Sequence, residues 1–242
     1  VANSNKTEEL LDPVDAYNRV APQFTRLSAL RRLYLEQVER VIISEIPAGK
    51  HSLLDVGAGD GRRSKRIAAA CGLDRLVLLE PSAAMRGNGM RGAEIWPIRA
   101  EELGGIQAEF DVIVCLWNVL GHIGPAERRK EVLRQFTRLS AMQGGLVFID
   151  VNHRYNVLEY GVLPTAGRFL HDMAWRSERN GDVRTRWNSL TTTGHVFTDR
   201  EVRSLATNAG LAVKKRFVID YATGKIRKRS FCGNLLYVLA RA

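Results

Sequence analysis

The segment Leu53-Leu54-Asp55-Val56-Gly57-Ala58-Gly59-Asp60-Gly61 sets three glycines at alternate positions between an apolar run and a helix-like run. Residues without a Cβ can adopt left-handed backbone and let a ligand approach the main chain. The first N–H groups of the helix that follows are unpaired and attract polar groups. A junction of this kind closes a strand–turn–helix unit, and the same rhythm recurs downstream. Arg75 to Glu80, Glu94 to Arg99, Phe110 to Leu116 and Gly145 to Val151 read as further strands, with helices at about Ser82 to Arg86 and Pro125 to Ser140 between them. The run Val112-Ile113-Val114-Cys115-Leu116 is continuously apolar, as strands covered on both faces require. Strands alternating with helices predict a doubly wound α/β sheet, mostly parallel.

Before the sheet lie two helical patterns, Pro13 to Gln23 and Leu27 to Ile46, the second ended by Pro47-Ala48-Gly49. After the fifth strand the rhythm stops. Asn152 to Thr198 reads as an inserted cap of strands and loops, with Asn180-Gly181 as a hairpin turn ahead of the alternating run Val183 to Trp187. A helix from Asp199 to Ala209 then restores the pattern. Strands Leu211 to Ile219 and Asn234 to Ala240 follow, spaced for an antiparallel hairpin around Thr223-Gly224, which brings the sheet to seven strands with an antiparallel last strand. The expected organisation is a helical lid (1–50), an α/β core (51–151), an inserted cap (152–198) and completion of the core (199–242).

A chain of 242 residues that is 45% hydrophobic and 26% charged can bury a full α/β core, and is neither disordered, collagenous nor a coiled coil. No stretch approaches the ~18 uncharged apolar residues of a membrane span. The polar start, Val1 to Asp12, does not read as a secretory signal, so a cytoplasmic location is expected, an expectation weakened by a first residue other than Met. Cys71, Cys115 and Cys232 lie far apart and read as buried thiols. The histidines, His51, His122, His153, His171 and His195, show no metal-ligand spacing, so no metal is expected. A net charge of +10, with basic clusters at Arg62 to Arg66, Arg128 to Lys130, Lys214 to Arg216 and Lys225 to Arg229, permits an anionic partner without demanding one, and solvated faces are the commoner origin of such runs.

Glu80 ends the strand after the glycine loop, 19 residues beyond Gly61, where a carboxylate can accept hydrogen bonds from both hydroxyls of a ribose. A dinucleotide fingerprint needs a third glycine where this chain has Arg62, and no Gly-Lys-Ser or Gly-Lys-Thr follows the loop, so NAD is disfavoured and a P-loop is excluded. An acid followed by Gly-x-Gly-x-Gly, with a second acid ending the next strand, resembles the class I S-adenosylmethionine-dependent methyltransferases, which have a Rossmann-like fold. The resemblance implies S-adenosylmethionine as cofactor and S-adenosylhomocysteine as product. It also implies that Asp55, Gly57, Ala58 and Gly59 border the methionine part, that Glu80 holds the ribose, and that Pro81 and Leu116 flank the ligand. After the third strand such families often place an acid against the adenine amino group. Here Arg99 stands there, so either Glu101 takes the amino group and the Ala100 amide meets the ring, or apolar contact holds the adenine and Glu101 and Glu102 simply favour a helix N-terminus.

The segments Leu116-Trp117-Asn118-Val119-Leu120-Gly121-His122 and Asp150-Val151-Asn152-His153-Arg154-Tyr155-Asn156 follow the fourth and fifth strands, at the carboxyl ends where open α/β sheets bind ligands. They resemble the corresponding segments of glycine N-methyltransferase and related small-amine methyltransferases, with two extra residues before His153-Arg154. This places Asn118 and His122 as catalytic candidates beside the acceptor, and Arg154 as a possible clamp for an acceptor carboxylate. His122 is the candidate general base, because an imidazole titrates near neutrality, or else a loop hydrogen-bonding group. Arg154 reads equally as a surface ion pair. Tyr17, in Tyr17-Asn18-Arg19-Val20-Ala21-Pro22-Gln23-Phe24, is similar to the aromatic motif that lids the cofactor in small-molecule methyltransferases, or packs a helix.

The expected activity is therefore S-adenosylmethionine-dependent methyl transfer to a nitrogen or oxygen of a small molecule. RNA methylation is the rival that the basic clusters suggest, against low aromatic content and no appended RNA-binding module. A cofactor-binding homologue without catalysis is the third reading.

Overall fold

In the computed structural model, which describes residues 10–187 and 190–242, a two-residue strand β1 (Leu10–Leu11) leads into three helices, α1 (Pro13–Val20), α2 (Phe24–Ala29) and α3 (Arg32–Glu45). Asp12 starts α1, accepting the Val14 N–H at 2.9 Å, with Pro13 in the first turn where no N–H is needed. The helix expected over Leu27 to Ile46 is two helices. The chain breaks at Leu30-Arg31, and there the Arg31 guanidinium stacks 4.1 Å above the Tyr221 ring and pairs with Glu159.

The main sheet has the order β10-β9-β11-β6-β5-β2-β3-β4. Its parallel centre is β2 (Ser52–Val56), β3 (Arg75–Leu79), β4 (Glu94–Trp96), β5 (Val112–Cys115) and β6 (Leu146–Val151), joined by α4 (Arg62–Cys71), a short α5 (Val119–His122) and α6 (Ala126–Leu139). All four residues of β5 are fully buried, as its apolar run predicts. One face packs on α3 and α4 through Tyr34, Val38, Ile42 and Ile67. The other packs on α6 and α9 (Asp199–Asn208) through Leu133, Phe136, Val202 and Leu205. The doubly wound architecture of the sequence reading is thus the observed one. Cys115 is buried in β5, whereas Cys71 and Cys232 are half-buried.

Three further expectations are corrected. No helix forms at Ser82 to Arg86: the Ser82 hydroxyl accepts the Met85 N–H, and Arg86 donates to the Glu80 and Pro81 carbonyls, local bonds that compete with a helical turn. The insertion is not only strands and loops, since α7 (Val157–Tyr160) and α8 (Val162–Ala174) precede its hairpin, β7 (Asp182–Trp187) with β8 (Leu190–His195). Asn180-Gly181 does not turn that hairpin; it ends a 3-10 turn entering β7. Finally, β9 (Leu211–Ile219) and β11 (Asn234–Arg241) pair antiparallel as expected, but Thr223-Gly224 turns the chain from β9 into an added eighth strand, β10 (Ile226–Arg227).

The N-terminal segment and the insertion share one small sheet, because β1 pairs in parallel with β8 and the Thr192 hydroxyl donates to the Leu11 carbonyl at 3.0 Å. Together they roof the carboxyl ends of β2 and β5. Among the described residues no helix is long and apolar enough to cross a membrane.

Candidate active site

From β2 the chain winds outward to β3 and β4, then returns to β5 and β6 on the other side, so the carboxyl ends of β2 and β5 flank the switch point where open sheets leave a crevice. A cavity of about 300 Å³ occupies that position. Its floor is the glycine loop, whose Gly57, Gly59 and Gly61 all have positive φ. The Gly57 and Ala58 amides donate to the Leu79 carbonyl at 2.8 and 3.0 Å, which fastens the loop to the neighbouring strand. A Cβ on Gly57 would stand 2.5 Å from the Val119 side chain, and one on Gly59 would point between Phe24 and Met85, 3.4 Å from each. Glycine is thus required at 57 by packing, and at 59 it keeps open the space between the N-terminal helices and the sheet.

Glu80, only 7% exposed, borders this space at the end of β3. Its two carboxylate oxygens accept the Gly59 and Ser82 amides, both at 2.8 Å. Burial, the largest influence, pushes its carboxyl up to about 7, against the pull of those two donors. Pro81 lines the cavity beside it, as do Ala100 and Glu101 from the 3-10 turn Ala100–Gly105. The neighbouring acids divide their work. Glu102 caps that turn by accepting the Arg99 amide at 2.6 Å, while Glu101 is on the cavity wall. Arg99 itself reaches Asp12 with two bonds, 2.6 and 3.2 Å, so the cation that replaces the usual acid ties the start of α1 to the core.

On the other flank, β5 ends in two consecutive non-glycine residues of positive φ, Trp117 (54°) and Asn118 (62°). Such strain costs of order 1–3 kcal/mol per residue and persists only where surrounding bonds impose it. Here the buried Asp150 accepts the Trp117 amide at 2.9 Å and a hydrogen bond from the Tyr34 hydroxyl, the Asp150 carbonyl accepts the Asn118 amide, and the Trp117 indole donates to Tyr221 at 3.0 Å. The result aims Leu116 and Trp117 at the cavity and carries the chain directly into α5, which ends at His122.

His122 and Tyr17 close this end. The His122 Nδ1 lies 3.2 Å from the Thr193 carbonyl, which can only accept, so Nδ1 carries the proton and Nε2 presents its lone pair to the Tyr17 hydroxyl 3.3 Å away. Burial lowers the His122 pKa, partly opposed by the Thr193 bond, and raises that of Tyr17. The pair is a neutral imidazole facing a protonated phenol.

The structure therefore gathers Gly57, Ala58, Gly59, Glu80, Pro81, Ala100, Glu101, Leu116, Tyr17 and His122 around one cavity. Three candidates lie elsewhere. The Asp55 carboxylate sits beneath the loop, bonded to the Ser64 hydroxyl, with its other oxygen buried and unpartnered. The Asn118 side chain is turned away, donating to the His195 carbonyl at 3.1 Å and accepting the Asn152 amide at 3.0 Å, so it stitches loops together and does not face the cavity. Arg154 is corrected most: it is buried under the insertion, pairing with Asp172 at 2.9 Å and Glu201 at 3.1 Å while donating to the Val196 carbonyl, and cannot clamp an acceptor in this cavity. Phe24, Met85 and Trp117 are lining residues that sequence reasoning did not select. An aromatic or thioether carries no pattern that separates a ligand wall from a core.

A family model described as a methyltransferase domain matches residues 23–215. No curated protein matches the chain. Among solved structures, an S-adenosylmethionine-dependent methyltransferase from Clostridium acetobutylicum is 12% identical, with TM-score 0.62 over 94% of this chain and 98% of that one. A possible histamine N-methyltransferase from Thermotoga maritima is 16% identical, TM-score 0.62, over 94% and 98%. A methyltransferase from Haloferax volcanii, solved in complex with the Trm112 activator, is 14% identical, TM-score 0.63, over 96% and 99%. At these identities the likeness is one of fold.

Proposed function

The chain belongs to the methyltransferase-domain family and is an S-adenosylmethionine-dependent methyltransferase, and on that premise we propose that it methylates an oxygen or nitrogen of a small-molecule acceptor at the Tyr17–His122 end of the cavity. The observation that carries this reading is a single roofed cavity with a ribose-type carboxylate, Glu80, on one flank and a base-competent imidazole, His122, on the other.

The residues present fit the cofactor. Glycine at 59 leaves the loop face open, and Glu80 offers a buried carboxylate whose oxygens can take hydroxyl donors in place of amides. Glu80 would hold the ribose, Pro81, Ala100 and Glu101 the adenine side, and Leu116 with the glycine loop the methionine side. When bound, S-adenosylmethionine supplies the activated methyl and the thioether leaving group. The protein's part is to position, worth roughly 7 to 11 kcal/mol when reactants are held at near-attack distance. For a hydroxyl acceptor, Tyr17 takes the acceptor's proton at its oxygen while passing its own to Nε2 of His122, so the charge left on the methylated group is neutral and the proton rests on the imidazole. For an amine, the neutral nitrogen attacks and sheds its proton afterwards by the same route.

Part of each of the last three basic clusters is already engaged within the chain, which weakens the RNA reading. Arg129 is buried and donates to the Ile123 carbonyl, Lys130 pairs with Glu127 and Glu178, Lys215 with Glu45, Arg216 with Asp199, and Arg227 with Asp220. Cations occupied in this way are poor counterion-releasing contacts for a phosphate backbone.

The test is transfer of labelled methyl from S-adenosylmethionine to a panel of phenols, aliphatic amines and bulk RNA. Label is expected in a small molecule. Transfer to RNA alone would overturn the acceptor assignment.

A further inference from the structure

The insertion helix α8 is amphipathic in the reverse sense of an ordinary surface helix. Its inward residues, spaced by three and four, are polar. The Thr165 hydroxyl donates to the Gly161 carbonyl at 2.7 Å, Arg168 lies 4.3 Å over the Tyr160 ring, and Asp172 accepts from Arg154 and Tyr155 at 2.9 and 2.6 Å. Its outward residues are apolar. Val162, Leu163, Leu170 and Met173, with Trp175 just past its end, are each 62–84% exposed. Large apolar side chains gathered on one exposed face mark an interaction surface. Residues 1–9 offer nothing to cover it, since beyond Val1 and Ala2 they are polar or charged.

The apolar face continues beyond α8. Glu159 of α7 pairs with Arg31, which stacks on Tyr221, so the α2–α3 corner, α7 and the end of β9 adjoin. Gly224 lies against the Leu33 backbone, where a Cβ would stand 2.2 Å from the carbonyl, and α7 also meets the 3-10 turn Ser230–Cys232. Each of these segments carries an exposed apolar side chain: Leu30, Leu158, Ile226 and Phe231. Cations stand among them. Lys225, Lys228 and Arg229 flank Ile226 and Phe231, and Arg176 follows Trp175; all four are exposed and have no ion pair among the described residues. The carboxylates on the same segments, Glu36, Glu159, Asp172 and Asp220, are each paired with an arginine. The local field is therefore positive, the sign of the chain's net charge of +10.

We propose that this face docks on the surface of an anionic lipid bilayer. Charge complementarity selects that occupant, because a second copy would bring two positive rims together, whereas anionic headgroups attract them. Projection selects it as well. Anchors between proteins fill shaped pockets on the partner, while acyl chains accept a projecting leucine, phenylalanine or tryptophan without a matched shape. The 13 residues of α8 are too few to span a bilayer, so the helix lies in its surface, with Trp175 at headgroup level.

Flotation of the full chain with vesicles of phosphatidylcholine, alone or with about 30% phosphatidylglycerol, tests this. Binding is expected on the anionic vesicles, weakening as salt rises from about 50 to 300 mM. Leu163→Glu combined with Leu170→Glu should reduce it at least tenfold, and Lys228→Gln with Arg229→Gln should reduce it and flatten its salt dependence. These side chains are exposed, so thermal melting should be unchanged in both variants. Tryptophan emission should shift to shorter wavelength on binding, a shift that Trp175→Phe diminishes. No binding to the anionic vesicles, or binding that the leucine variants leave unchanged, overturns the proposal. Self-association in sedimentation velocity that the leucine variants abolish, without vesicle binding, gives the face to a second copy and overturns it too.

Discussion

The Tyr17 hydroxyl and His122 Nε2, 105 positions apart in sequence, meet at 3.3 Å where the first helix crosses the loop after β5. Because the Thr193 carbonyl, from a third segment, fixes the proton on Nδ1, this contact joins the N-terminal helix, the core and the insertion in one hydrogen-bonded group. For a hydroxyl acceptor, His122→Asn should lower kcat about 100-fold with donor affinity intact, and Tyr17→Phe roughly 10-fold. Burial lowers the His122 pKa, so protonation occurs only below the ordinary value of about 6.5. Activity should therefore hold through neutrality and fall on the acidic side, a limb that His122→Asn removes. For an amine acceptor both losses shrink to a few-fold.

Donor binding should be linked to protons through Glu80. In the free protein its carboxyl titrates at about 7, raised by burial. Ribose hydroxyls need the carboxylate form, so below that value binding must expel a proton. S-adenosylhomocysteine affinity is expected to fall by up to tenfold per pH unit as the pH drops below about 7. Calorimetry in buffers of different ionisation enthalpy should show the proton released, and Glu80→Gln should abolish both effects while weakening binding.

Gly59→Ala tests the open face of the loop. The new methyl would enter the gap between Phe24 and Met85 and sit on a backbone with φ of 61°, costing about 1 kcal/mol in conformation alone. Donor affinity should drop at least tenfold with a melting temperature lowered by only a few degrees. An unchanged affinity would show that the ligand does not pass over residue 59.

Arg154→Met should act on stability, since the residue is buried between Asp172 and Glu201. Removing the cation leaves two partly buried carboxylates facing each other, a loss of about 3 kcal/mol. Urea unfolding should show the midpoint fall with S-adenosylhomocysteine affinity unchanged within about twofold. A raised acceptor KM at unaltered stability would restore the carboxylate-clamp reading.

The comparison of expectation with structure turns on how far each residue's surroundings extend along the chain. Glu80 and the glycine loop were legible because their chemistry is local: a strand, a turn and a helix start, then one more strand with an acid at its end. Arg63 and Arg154 were not. The first was read within a solvated basic run and the second as an acceptor clamp or a surface ion pair, yet one lines the cavity and the other is locked under the insertion by acids 18 and 47 positions away. The split of the expected Leu27 to Ile46 helix also coincides with distant contacts, since Arg31 at the break meets Tyr221 and Glu159.

Sequence by itself determined the doubly wound sheet, the βα order, the place of the glycine loop and the acid that faces it, because hydrophobic period, glycine spacing and strand ends are read over a few residues. Tertiary structure alone decided which polar side chains share a cavity and which are consumed in holding it: Tyr17 against His122, Asp150 under Trp117, Arg99 on Asp12, Asn118 on the hairpin. A buried charge or hydroxyl must find a partner wherever the fold brings one. That search runs through space, across distances in sequence over which composition and periodicity carry no information.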